Sequence, residues 1–148
     1  MTRDKILKLE QAMQDLAPLV LPIRHHFANG LYAREMEMPA GALLTGAVHK
    51  TSHFCILSKG RVLVTGEDGE LDLTAPAIIV SEPGTKRAMY AIEDSVWTNV
   101  HATNETDLDK LVEELTESTA AELQGGVGNP QQLAHEERVK WLSSQPQP

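Results

Sequence analysis

Cysteine is almost absent from this 148-residue chain, and the single Cys55 excludes an intrachain disulfide framework and a paired-cysteine zinc ribbon. Aromatic residues make up only 4%, too few for a stacking platform on single-stranded nucleic acid. Basic residues are also scarce, 13 against 21 acidic ones, so the formal charge of −8 argues against docking on a phosphate backbone. Long apolar runs are missing. The longest, from Leu16 to Ile23, is broken by two prolines and falls far short of the ~20 residues that cross a bilayer, and the charged first fifteen residues do not read as a signal peptide. The expectation is a soluble cytoplasmic protein with neither nucleic acid nor membrane as partner. There is no Ser-His-Asp order, no phosphate-binding loop and no dinucleotide fingerprint; the GGVG run at 125–128 lacks the lysine and preceding strand that a phosphate loop needs.

What remains is a 41% hydrophobic chain, enough for a packed core, and six histidines as the main source of metal or acid–base chemistry. The charge is unevenly spread. Residues 1–101 hold 12 acids and 10 bases, whereas residues 102–148 hold 9 acids and 3 bases. A near-neutral body therefore carries an acidic appendage, and an anionic ligand in the body stays open.

Four segments are expected. Residues 1–22 hold an amphipathic helix over 3–17, with Ile6, Leu7, Leu9, Met13 and Leu16 at helical spacing and Pro18 as its stop. Residues 23–105 hold short runs of Val, Ile, Leu and Thr separated by Gly and Pro turns, the texture of an antiparallel sandwich or barrel. Within them, 61–65 and 70–74 read as a hairpin about Glu67-Asp68-Gly69. Residues 106–124 read as an acidic helix with Leu108, Leu111, Val112 and Leu115 on one face, started at Thr106. Residues 125–148 read as a linker and tail, with a short helix over 131–142 and a frayed end.

The chemistry concentrates in Gly41-ALLTGAV-His49-KTS-His53-FCILSK-Gly60. Read as a strand, this segment places His49, Thr51, His53, Cys55 and Leu57 on one face and Phe54 and Ile56 on the other. Two imidazoles two pleats apart on one face suit a shared metal once a third ligand arrives from a neighbouring strand. His101 is that third candidate, since it alternates onto one face with Asn99 and Trp97. Without a metal, the same histidines would hydrogen-bond one another, Thr51 or a ligand. Arg87, after the Pro83-Gly84 turn, would bind a carboxylate or phosphate if it faced inward, or pair with a surface acid if it did not. Tyr90 offers a phenol to the same site or simply packs. His25 and His26 are adjacent and point oppositely on extended backbone, Glu82 reads as a solvated turn residue, Cys55 as a buried structural thiol, and His135 as part of a solvated helix.

The spacing of this segment resembles the first motif of the cupins. Counted back from Gly60, His53 falls where cupins carry a glutamate, His49 falls on their second histidine, and Ala47 stands at the first. The segment Ser81-Glu-Pro-Gly-Thr-Lys-Arg87 resembles their second motif, with Arg87 at its histidine. Residues 25–117 as a whole resemble small cupin-like proteins of bacteriophages. The resemblance implies an all-β jelly-roll barrel with flanking N- and C-terminal helices, a divalent transition metal (Fe, Mn, Ni or Zn), and assembly as a homodimer or higher oligomer. It implies a metal site of His49, His53 and His101, with Arg87, Tyr90 and Thr51 binding a small-molecule ligand in the barrel. For a phage protein the setting would be the host cytoplasm. Isomerases, lyases, hydrolases and oxygenases all use this architecture, and so do binding modules and scaffolds, so the resemblance leaves enzyme and non-enzyme both open.

Overall fold

In the computed structural model, which describes residues 1–13 and 21–118, nine strands form two antiparallel sheets facing each other. The strands are β1 (Ile23–Ala28), β2 (Leu31–Met38), β3 (Leu43–Thr45), β4 (His53–Lys59), β5 (Arg61–Gly66), β6 (Gly69–Thr74), β7 (Ala77–Ser81), β8 (Arg87–Ala91) and β9 (Ser95–Ala102). Helix α1 (Arg3–Met13) precedes them and α2 (Leu108–Leu115) follows. One sheet runs β1-β2-β9-β4-β7 and the other β3-β8-β5-β6. This is the expected all-β jelly roll with a helix at each end.

Period-two alternation decides which side chains fill the space between the sheets. Met36 and Met38 of β2, Cys55 and Leu57 of β4, Val62 and Val64 of β5, Ala91 of β8 and Trp97 of β9 are all buried together in one cluster. The chain passes between sheets at Gly60, whose φ of +87° is the left-handed region. A Cβ there would collide with the Asp94 carbonyl and the Ser95 side chain, so this corner between β4 and β5 accepts only glycine. The expected hairpin is present as β5 and β6, with Gly66 opposite Gly69 across the turn.

Helix α1 lies on the outer face of the smaller sheet. Its Ile6 is fully buried, and its Glu10 accepts hydrogen bonds from Thr45 Oγ1 at 2.6 Å and from the buried Lys86 ammonium. It is described to Met13, and the rest of the helix expected over 3–17 lies outside the described residues. Helix α2 starts one residue later than Thr106: Asp107 is the N-cap, its carboxylate accepting from the backbone N–H of Asp109 and Lys110. Leu111 and Leu115 bury against Tyr32. The end of the expected 106–124 helix, the 125–148 linker and tail, and His135 lie outside the described residues.

Two local expectations are corrected. The Phe27-Ala-Asn-Gly30 segment after His25 and His26 suggests a turn entering the first strand, but residues 23–28 are themselves strand β1, and the Asn29-Gly30 turn joins it to β2. Residues 49–57 are not one continuous strand: β4 begins at His53, residues 50 and 51 bend, and His49 sits in an isolated bridge opposite Thr116. The physical reason is backbone pairing. The Lys50 N–H donates to the Leu115 carbonyl and the Glu117 N–H to the Val48 carbonyl, so the C-terminal end of α2 supplies partners that a β4 neighbour does not.

Candidate metal centre

His53 is the first residue of β4 and faces inward with Cys55 and Leu57. His101 lies near the end of β9 on the face shared with Trp97 and Asn99, as alternation requires, and stacks on Tyr32 of β2 with ring centroids 6.0 Å apart. His49 arrives from the loop. Its carbonyl accepts from the Gly84 N–H at 2.9 Å, and the Thr116 bridge fixes the other side of its backbone. The bend at residues 50 and 51 brings His49 close to His53, with ring centroids 4.3 Å apart; His53 and His101 stand at 4.5 Å and His49 and His101 at 5.1 Å. One ligand atom from each of the three lies within 4.8 Å of the other two.

His53 and His101 are buried and His49 is partly so. Burial, reinforced by the neighbouring His53, lowers the His49 pKa to about 4. Burial, with the charges of His53, His49 and Arg34 behind it, lowers His101 to about 3. His53 is lowered by burial and by the Arg87 charge. Near neutral pH all three rings are therefore uncharged, the form in which imidazole presents a lone pair to a metal. His101 Nδ1 is buried with no hydrogen-bond partner among the described residues, an unfilled valence in a protein interior. With metal–nitrogen bonds of ~2.1 Å, two donors on one ion stand at most ~4.2 Å apart, so the cluster needs only small ring movements to close on an ion. Orphaned nitrogen, uncharged donors and convergence all fit a divalent transition metal.

Around the rings the expected ligand-binding residues behave differently. Arg87 faces inward from β8: its side chain is 13% exposed, and its charge acts on both His53 and Cys55. Its Nη2 reaches the Asp68 carboxylate at 3.4 Å, while Nη1 is buried without a partner. Thr51 is exposed in the bend, and the group it turns to the cluster is its carbonyl, 3.4 Å from His53 Nδ1. Tyr90 is not brought to the cluster. It alternates with Arg87 and Met89 onto the outer face of β8, 43% exposed and opposite Leu43 and Leu63. The Cys55 thiol is buried and pushed up to about 11, which keeps it protonated and a poor nucleophile.

His25 and His26 do point oppositely: His25 Nδ1 lies 2.7 Å from the Tyr32 hydroxyl, and His26 Nε2 pairs with Glu35 at 2.9 Å. Neither joins the cluster. Arg34 is not among the residues that motif and spacing single out. It occupies the inward row Tyr32, Arg34, Met36, Met38, where a single charge among buried apolar positions was the available signal. The structural part of α2, which holds the His49 backbone through the contacts given above, was likewise not anticipated.

No protein-family model matches the chain, and no curated protein matches it by sequence. Solved structures do resemble it. A cupin superfamily protein from Desulfitobacterium hafniense aligns with a TM-score of 0.50 at 8% identity, over 59% of this chain and 81% of its own. KdgF from Halomonas sp. aligns with a TM-score of 0.50 at 16% identity, over 57% and 82%. The salicylate 1,2-dioxygenase of Pseudaminobacter salicylatoxidans aligns with a TM-score of 0.51 at 12% identity over 66% of this chain, which matches 32% of that larger protein. At such identities the likeness is one of fold, and the two-sheet barrel with its inward histidines has the cupin jelly-roll architecture.

Proposed function

We propose that the protein binds a divalent transition metal (Fe, Mn, Ni or Zn) through His49, His53 and His101, and that this centre binds or transforms a small molecule inside the barrel. One observation carries the reading: three imidazoles from a loop and two strands converge to within 4.8 Å, and all are held uncharged. Bound there, an ion would supply Lewis acidity for polarising a carbonyl or activating a water molecule. The chain's own contribution is to exclude charge from the rings, to fix His49 through α2, and to set Arg87 beside His53. The likeness in fold to a salicylate 1,2-dioxygenase supports a reaction on a small molecule as one use of this architecture. The test is metal analysis of purified protein together with melting curves in Fe, Mn, Ni and Zn salts. A stabilising shift with at least one ion is expected, lost in His49→Ala and His53→Ala. No bound metal and no shift with any of the four sinks the reading.

A second reading is a scaffold or metabolite-sequestering module that works through self-association. Phe54 and Ile78 are 53% and 66% exposed on the outer face of β4 and β7, with Val80 exposed beside them, and β7 is an edge strand. A second copy of the chain is the occupant we assign to this face, giving a homodimer. The likeness to small phage cupin-like proteins supports a host-cytoplasmic setting in either case. No helix among the described residues is long and apolar enough to cross a membrane.

A further inference from the structure

Two arginines on inward rows, one from each sheet, lie close enough for their charge to act on the three imidazoles. Arg34 lies on the inward row of β2, with Asn99 of β9 as its Cα partner and Tyr32, which stacks on His101, two residues away. Its charge depresses both His49 and His101, and burial lowers its own pKa. Among the described residues no carboxylate lies within ion-pair distance of it. The acids flanking it on β2, Glu35 and Glu37, alternate to the other face and pair there with Arg24. Arg87 comes from β8, opposite Gly66, where a Cβ would stand 3.2 Å from Arg87 Cγ; glycine leaves room for the arginine stem. Among the described residues its one acid partner is Asp68, on the exposed β5–β6 turn, which holds Nη2 at a long 3.4 Å while Nη1 has no partner. Among the described residues no carboxylate joins the histidine cluster. A partly buried guanidinium without a close carboxylate carries a desolvation cost that a bound anion would offset.

We infer that Arg34 and Arg87 form an anion clamp over the histidine cluster, so that the ligand is a small oxyanion, a carboxylate or a phosphate, which displaces Asp68 from Arg87. The planar guanidinium fork matches both anions in two parallel hydrogen bonds. The inference rests on the cluster being the ligand centre, but it does not require the metal.

The experiment is calorimetric titration of malonate, and separately of inorganic phosphate, into the full chain, both chelator-treated and nickel-treated. Saturable binding of at least one anion is expected, weakened about tenfold or more in Arg34→Gln and Arg87→Gln and tightened in Asp68→Asn. Malonate binding alone assigns the carboxylate class, and phosphate binding alone the phosphate class. Circular dichroism and melting identify an arginine variant that fails to fold; Arg34→Lys and the exposed Asp68→Asn then decide. Binding of neither anion overturns the clamp, as does affinity unchanged by Asp68→Asn together with the arginine variants that fold. Anion binding retained in His49→Ala without any nickel response would remove the metal and keep the clamp. A nickel response with no anion binding would do the reverse.

Discussion

At Gly60 a Cβ would be driven into the Asp94 carbonyl, and the backbone already holds a φ of +87°. Gly60→Ala is therefore expected to cost at least ~3 kcal/mol, because left-handed strain and a backbone clash add at one position. Chemical denaturation of the variant measures this; a loss under ~1 kcal/mol would show that the corner can relax. The histidines give a pH dependence of definite sign. Their ordinary pKa is 6.5, and burial lowers His49 to about 4 and His101 to about 3 in the folded protein. As pH falls, the unfolded chain takes up protons before the folded one does. The metal-free protein should hold its full stability above about pH 6.5 and lose it progressively from there toward pH 3. Urea denaturation of chelator-treated protein at a series of pH values checks this, and His101→Gln should flatten the slope. Equal slopes for the two proteins would mean that His101 does not contribute.

The two helices are built alike, each burying an apolar face on the barrel, yet they serve different ends. Helix α2 closes onto Tyr32 through Leu111 and Leu115 and pairs with the backbone on both sides of His49. Helix α1 buries Ile6 on the outer face of the other sheet, with Glu10 tied to Thr45 and Lys86. Leu111→Ala and Ile6→Ala should each cost roughly 2–4 kcal/mol. Only Leu111→Ala should also weaken nickel binding, since it loosens the helix that places His49. Matching losses of nickel affinity in both variants would show a global effect instead. The different roles were not legible from the sequence. Both helices show apolar residues at helical spacing, but spacing says nothing about which loop a helix end will pair with.

At the scale of the molecule, the larger sheet turns an exposed apolar row outward, across Phe54, Ile78 and Val80. Phe54 and Val80 are direct cross-strand partners, so charge at either position opposes burial of the whole row. Phe54→Asp should convert a dimer to a monomer in light scattering while leaving the metal-induced melting shift in place. A wild-type protein that is already monomeric at high concentration would remove the assignment of a second copy to this face.

Much of this architecture was written in local chemistry. Alternation, turn glycines and the lack of cysteine or long apolar runs determine an antiparallel all-β barrel with a helix at each end. The same alternation places His53, His101 and Trp97 inward, because side-chain direction on a strand follows from position alone. Local periodicity ends where backbone partners come from distant segments. His49 reaches the cluster through a bend held by Thr116 and Gly84, residues 67 and 35 positions away, and not through the strand its neighbours suggested. Pairing with β3 and β5 decides that the Arg87 face of β8 turns inward, and Tyr90, three residues on, then points outward by the same alternation. Arg34 shares a sheet with His53 and His101 through the β2-β9-β4 pairing, and Arg87 acts on His53 only because the second sheet faces the first. The sequence by itself determined the donors and the strands that carry most of them; tertiary structure decided which of them converge, since convergence is set by long-range pairing and the packing of one sheet on another.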